Sequence, residues 1–128
     1  MKYSITQSED QNIIVANATG EWEAEIDNQM VRELMQTVVQ TGIRKILLDM
    51  RDLQFDFSVL RIFERAQEMR DQRRTVEKAS SKVALVYSPV SPKLEEDMRF
   101  FENASQNRGL PYHSFRDVEE AIKWLLDS

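Results

Sequence analysis

Strand-type apolar runs alternate with amphipathic helical stretches along this chain, and short polar segments separate them. Two β-type runs come first, over residues 3–6 and 12–18, and the polar segment QSEDQ between them predicts a hairpin. A third run, over residues 44–50, is apolar on both faces in its middle, which is typical of a strand covered on both sides. Residues 82–87 and the short stretch 111–115 complete five predicted strands.

Apolar residues at helical spacing predict four helices. In the first helix the apolar residues recur every four positions, and Gly42 stands where a left-handed helix end is expected; the recurring residues are Ile26, Met30, Leu34 and Val38. The second helix begins near Ser58 and keeps this spacing through Val59, Ile62, Phe63, Ala66 and Met69.

The third and fourth helices carry recognisable start signals. Ser91 is placed to cap the third helix, with Pro92 at its first position, and Gly109 marks its end. Asp117 and Glu120 form a capping-box pattern before the fourth helix. These signals predict short connections between the helices and their neighbouring strands.

The resulting element order is β-β-α-β-α-β-α-β-α. Strands joined through helices by short loops require parallel crossovers, so the last four strands are predicted to form a parallel sheet. The first strand, joined by a tight turn, is predicted to lie antiparallel at one edge. At 128 residues the chain fits one α/β domain that spans residues 1–128.

The composition argues against several classes of function. There is no cysteine, so disulfides and thiolate metal sites are excluded. The 17 basic and 22 acidic residues give a net charge of −5, which is unfavourable for a nucleic-acid partner. No apolar run is long enough to span a membrane. The first residues lack the pattern of a secretion signal, so we expect a cytoplasmic protein.

The sequence offers little support for catalysis. The three glycines form no phosphate-binding loop, and no Ser or Asp is tied by spacing to His113, the single histidine. We therefore expect a protein that is not an enzyme and that uses no cofactor or metal.

Several quoted segments resemble the STAS-like domains related to bacterial anti-sigma factor antagonists. They are the strand ending LLDMRDL, the helix start near Ser58, the strand KVALVY, and the closing pattern F-x-D-x-x-x-A-x-x-W-L in FRDVEEAIKWL. The chain looks closest to the branch that is also related to the CRAL-TRIO lipid-transfer fold. The resemblance implies a SpoIIAA-like β/α superhelix, in which a mostly parallel five-stranded sheet follows sequence order beside an antiparallel N-terminal edge strand.

Ser58 stands where the regulatory members of this family carry a serine that a kinase phosphorylates. That serine normally follows an aspartate, whereas Phe57 precedes Ser58, and Val59 and Leu60 replace the usual small residues. A serine at a helix start also caps backbone N–H groups, and this interpretation is the favoured one.

Ligands of parallel α/β sheets gather beyond the carboxyl ends of the strands. The residues predicted at this rim are Trp22, Asp49, Arg51, Asp52, Phe55, Asp56, Phe57 and Tyr87. The three aspartates could suggest a magnesium site, but an ion pair of Asp49 or Asp52 with Arg51 is the better interpretation because no other rim strand clearly supplies a ligand.

The aromatic rim residues Trp22, Phe55 and Phe57 admit three interpretations. They could plug the end of the core, roof an apolar ligand, or form a patch for a protein partner or a second copy of the chain. We expect a regulatory protein-interaction domain of a bacterial cytoplasm, with the rim as its contact surface. The alternative is a module that binds a lipid or another small apolar molecule.

Overall fold

The computed structural model describes residues 1–8, 12–55, 82–107 and 112–127. In these ranges the strands are β1 (Lys2–Ser8), β2 (Ile13–Glu21), β3 (Lys45–Gln54), β4 (Lys82–Val86) and β5 (Tyr112–Phe115). The helices are α1 (Ala24–Thr41), α2 (Pro92–Asn107) and α3 (Val118–Leu126).

The strands form one sheet in the order β1-β2-β3-β4-β5. β1 pairs antiparallel with β2, and every later pair is parallel. This arrangement confirms the predicted α/β class, the sequential strand order and the antiparallel edge strand. Several predictions lie outside the described residues: the helix that begins near Ser58, the middle of the first turn, and the helix end at Gly109.

The sheet separates two apolar layers. Helices α1 and α2 bury their apolar faces on one side, against Ile46 and Leu48 of β3 among others. Helix α3 packs on the other side, where Leu47 of β3 is buried with Ala121 and Leu125. Because successive strand residues point to opposite faces, β3 is buried on both sides, as its unbroken apolar run predicts.

Three of the predicted helix caps lie in the described ranges, and their hydrogen bonds confirm them. Gly42 ends α1 at a φ of 75°, and its N–H donates to the Val38 carbonyl at 2.9 Å. The Ser91 hydroxyl accepts from the Leu94 N–H at 3.1 Å. The Asp117 carboxylate accepts from the Glu119 N–H at 2.9 Å. Each cap satisfies a backbone group that the helix itself leaves unpaired.

The predicted carboxyl ends of β2 and β3 were wrong. The sequence predicts that β3 ends at Met50, but the strand continues to Gln54. Strand β2 is also longer than predicted, and after a register shift between Asn17 and Thr19 it pairs with β3 as far as Glu21 opposite Gln54. The charged residues after Met50 therefore lie in a strand, because backbone bonds to a neighbouring strand outweigh their low intrinsic β preference.

Candidate functional site

The carboxyl ends of β2, β3 and β4 meet at one end of the sheet. The Trp22 N–H donates to the Gln54 carbonyl at 2.9 Å, which places the start of the Trp22 turn beside the end of β3. The Ser88 hydroxyl donates to the Arg51 carbonyl at 3.2 Å and ties the segment after β4 to the same strand. The predicted juxtaposition of the Trp22 turn with the segment that carries Phe55 is therefore present.

The predicted ion pair in this rim is formed by Asp49 and Arg51. The Arg51 Nε and Nη2 atoms donate to the two Asp49 carboxylate oxygens at 2.9 and 2.8 Å. These side-chain bonds hold the pKa of Asp49 below its usual value and raise the pKa of Arg51. The bidentate geometry pairs both charges, so among the described rim residues of β3 Asp52 supplies the remaining charge.

The aromatic rim residues pack inward where the structure describes them. Trp22 and Phe55 are half-buried, and both pack against the larger apolar cluster of the domain. Tyr87 is buried, and its N–H donates to the Phe115 carbonyl at 3.0 Å. These contacts support the core-plugging interpretation for Trp22 and Phe55. Asp56, Phe57 and Ser58 lie outside the described residues, and a bound apolar molecule stays a prediction.

A groove of about 420 Å³ opens beside the end of β3. Residues 50–55 form one wall, and Ser88, Val90 and Leu94 form the other. Val90 is 79% exposed, the highest value among the large apolar side chains that the structure describes as exposed. Val90 and Leu94 were not among the candidate site residues named from the sequence, although Val90 lies in the rim segment that follows β4. The available signal was an apolar residue inside the turn-forming segment SPVSP, directly after a buried strand.

A second cleft, of about 480 Å³, lies between α2, β5 and the start of α3. Arg116 forms an ion pair with Glu95 inside it. The pKa of Arg116 is raised, first by a hydrogen bond with the Tyr87 side chain and then by the Glu95 charge. Of the residues that line this cleft, Tyr87 was named as a candidate site residue from the sequence, and Phe115 and Arg116 lie in a predicted strand-end segment of the rim. The paired charges make the cleft a polar contact between β4, β5 and α2.

His113 has a partner that spacing in the sequence did not reveal. Its Nδ1 atom lies 3.1 Å from Oε1 of Glu102 in α2. The other oxygen of this carboxylate accepts hydrogen bonds from the Ser114 N–H at 3.1 Å and the Ser114 hydroxyl at 2.6 Å. The serine hydroxyl is thus directed at the carboxylate and not at the imidazole, so these three residues do not form a nucleophile with its general base.

Membrane-spanning helices and metal-ligand clusters are both absent from the ranges that the structure describes. No helix in these ranges combines the length and the apolar character that crossing a membrane requires. Within the same ranges, no three histidine, aspartate or glutamate side chains converge as a set of metal ligands.

Comparisons with known proteins place the fold. No family model matches the chain, and no curated protein sequence matches it. Among solved structures, the anti-sigma factor antagonist SpoIIAA in its unphosphorylated form aligns with a TM-score of 0.61 at 15% identity, over 96% of this chain and 95% of that one.

Two further structures agree with this result. An anti-sigma factor antagonist from Mycobacterium paratuberculosis has a TM-score of 0.59 at 11% identity, over 98% of this chain and 96% of its own. A Shewanella loihica protein with a SpoIIAA-like fold has a TM-score of 0.58 at 20% identity, over 97% of this chain and 92% of its own. The link to CRAL-TRIO domains stays a prediction. The chain therefore has the SpoIIAA-like fold of STAS-like domains.

Proposed function

We propose that this chain is a non-enzymatic regulatory domain of a bacterial cytoplasm that acts by binding a protein partner in the groove beside β3. The fold is that of anti-sigma factor antagonists, which supports regulation as the class of function. The observation that carries the choice of surface is the exposed Val90 at the groove.

The groove has the composition of a small protein-interaction surface. Leu53, Phe55, Val90 and Leu94 supply apolar contact area in it. Arg51, Asp52 and Gln54 of β3 contribute polar groups to the same wall. Interfaces commonly combine an apolar centre with a polar rim. Arg51 is already paired with Asp49, so among the described lining residues Asp52 is the charge that a partner would match.

The class of partner follows from the similar structures. Two of them are described as antagonists of anti-sigma factors. A regulatory protein of the anti-sigma factor class is therefore the first candidate to be tested against this chain. The partner would insert an apolar side chain against Val90 and Leu94.

A matched pair of charge substitutions tests the groove. Val90→Glu places a carboxylate at the groove, whereas Val39→Glu places one on α1, where Val39 is 62% exposed and does not line the groove. Tagged wild-type and variant proteins are used to capture partners from the source bacterium, and the captured protein is identified and titrated by calorimetry. We expect Val90→Glu to weaken binding at least about tenfold, while Val39→Glu leaves the affinity unchanged. Equal affinities for both variants would remove the groove from the proposal.

Phosphorylation of Ser58 is a separate hypothesis about regulation. Ser58 follows Phe55 by three positions in the sequence. A phosphate adds a charge of about −2, which would change the charge that a partner meets near this part of the chain. Incubation with kinases of the source bacterium, followed by intact-mass measurement of wild type and Ser58→Ala, tests it. A mass gain that persists in Ser58→Ala would assign the phosphate to another residue. The role that the sequence favours for Ser58 is helix capping.

A further inference from the structure

The two outer strands of the sheet differ in how their free edges are protected. An edge strand presents a row of backbone N–H and C=O groups that can pair with another strand. In this sheet the edge strands are β1 and β5. Proteins usually block such edges with charges, bulges, prolines or covering side chains. Only one of the two edges is blocked here among the described residues.

Side chains of α2 close the β5 edge. Gln106 Nε2 donates to the Tyr112 carbonyl at 3.2 Å. Glu102 Oε2 accepts from the Ser114 N–H at 3.1 Å. These bonds occupy an acceptor and a donor of β5 that an added strand would need. The Glu102 contact with His113 holds the carboxylate over the same edge.

Residues 2–7 of β1 have no such cover on their free edge within the described ranges. Tyr3 and Ile5 pack on the core. The one set of polar side-chain contacts that residues 2–7 show within the described ranges joins the Tyr3 hydroxyl to Glu33 and Gln29 of α1. Strand β1 pairs with β2 at seven consecutive positions without a register shift. It contains no proline, and Lys2 is its one charged residue. The strand is therefore regular and carries little that would repel another strand.

The charge pattern of β1 fits a second copy of the same strand in antiparallel orientation. A two-fold axis through the middle of β1 would place the two Lys2 side chains at opposite ends of the ribbon, whereas parallel pairing would set these like charges side by side. Ser4 and Thr6 are exposed on one face of β1. With the axis at the middle of the strand, the Ser4 hydroxyl would lie across from Thr6 of the second copy, and the Thr6 hydroxyl across from its Ser4. Tyr3 and Ile5 would extend the apolar face of the sheet.

We propose that β1 pairs antiparallel with β1 of a second copy, so that two chains form a homodimer with one continuous sheet. This surface is distinct from the groove beside β3. The contact is isologous and uses the edge once in each chain, so it closes as a dimer and does not propagate into a fibre.

The absence of native cysteine makes disulfide trapping a direct test. Single variants Ser4→Cys and Thr6→Cys are oxidised separately and as an equimolar mixture. Asn17→Cys is the matched control, because Asn17 is exposed and pairs with Ser4 from the next strand inward. We expect a covalent dimer, at twice the chain mass of 15.0 kDa, from at least one β1 sample and not from Asn17→Cys. Cross-linking of Asn17→Cys alone, or of none of the samples, would overturn the proposal.

A second experiment keeps the test independent of disulfide chemistry. Wild-type protein is expected to sediment as a dimer, and Ser4→Lys/Thr6→Lys is expected to sediment as a monomer because four lysines would face each other across the new pairing. Asn17→Lys/Thr19→Lys carries the same added charge on β2 and is expected to stay dimeric. A monomeric wild type contradicts the proposal. A dimer that survives the β1 lysines but is lost in Val90→Glu would assign self-association to the groove.

Discussion

Ser105 shows how a single polar atom can limit the stability of this domain. Its side chain is 0% exposed in α2, and its hydroxyl has no hydrogen-bond partner among the described residues. A buried hydroxyl without a partner costs about 1–3 kcal/mol, and alanine also has the higher helix propensity. We therefore expect Ser105→Ala to raise the free energy of unfolding by about 1 kcal/mol, measured by urea denaturation.

The control for this prediction is the exposed Asn103 in the same helix. Asn103→Ala changes helix propensity without removing a buried hydroxyl, so its gain should be smaller, at about 0.5 kcal/mol. A loss of stability in Ser105→Ala would show that the hydroxyl has a favourable contact.

The Asp49–Arg51 pair predicts a specific pH dependence. The folded-state pKa of Asp49 lies below its unfolded value, so the stabilisation is present above the unfolded pKa and is lost as pH falls through the folded one. Arg51 is 47% exposed, which limits the contribution to about 1 kcal/mol or less. Arg51→Gln is expected to be less stable than wild type at neutral pH, and the difference should shrink below about pH 4.

Denaturant titrations at several pH values measure this effect. Arg44→Gln removes one exposed arginine whose side chain makes no ion pair with a described residue. It serves as the control for the change in net charge. A pH profile of Arg51→Gln that parallels that of Arg44→Gln would mean that general charge, and not the pair, sets the acid dependence.

At the scale of elements, one lysine joins the start of β4 to the end of α3. Lys82 Nζ donates to the Trp124 carbonyl at 3.1 Å and to the Asp127 carbonyl, and it lies 5.0 Å from the centre of the Trp124 ring. A cation at a helix carboxyl end satisfies free carbonyls and opposes the helix dipole. Lys82→Met is expected to cost about 1–2 kcal/mol of unfolding free energy.

Lys45 is the natural control, because it pairs with Lys82 in register at the start of β3. Lys45→Met removes the same charge from the same end of the sheet without a described bond to α3. Thermal unfolding followed by tryptophan fluorescence compares the two variants. If both lose the same stability, the contact between Lys82 and α3 contributes nothing specific.

The elements also show where sequence patterns suffice and where they fail. Gly42, Ser91 and Asp117 were correctly predicted as caps, because a cap depends on a few neighbouring residues and their backbone groups. The end of β3 was predicted four residues too early. Its true end at Gln54 depends on pairing with residues of β2 more than thirty positions away, which a local pattern does not report.

On the scale of the whole molecule, the sheet order was predictable and the surfaces were not. Short helical crossovers restrict the topology strongly, and the observed strand order follows the sequence. Of the predicted rim, Trp22 adjoins Gln54 at the carboxyl ends of β2 and β3 as expected, whereas Asp56 and Phe57 lie outside the described residues. The groove wall formed by Val90 and Leu94 was missed, because it combines residues from two segments that become neighbours only through folding.

The sequence by itself determined the class of the fold, the number and order of the described strands, and the caps of their helices. Periodicity and capping chemistry are local, so they can be read without coordinates. Tertiary structure alone decided that α2 closes the β5 edge through Glu102 and Gln106, and that Val90 is exposed at a groove. Those outcomes depend on which distant side chains reach the same backbone groups and which apolar atoms stay in water, and only packing of the whole chain determines them.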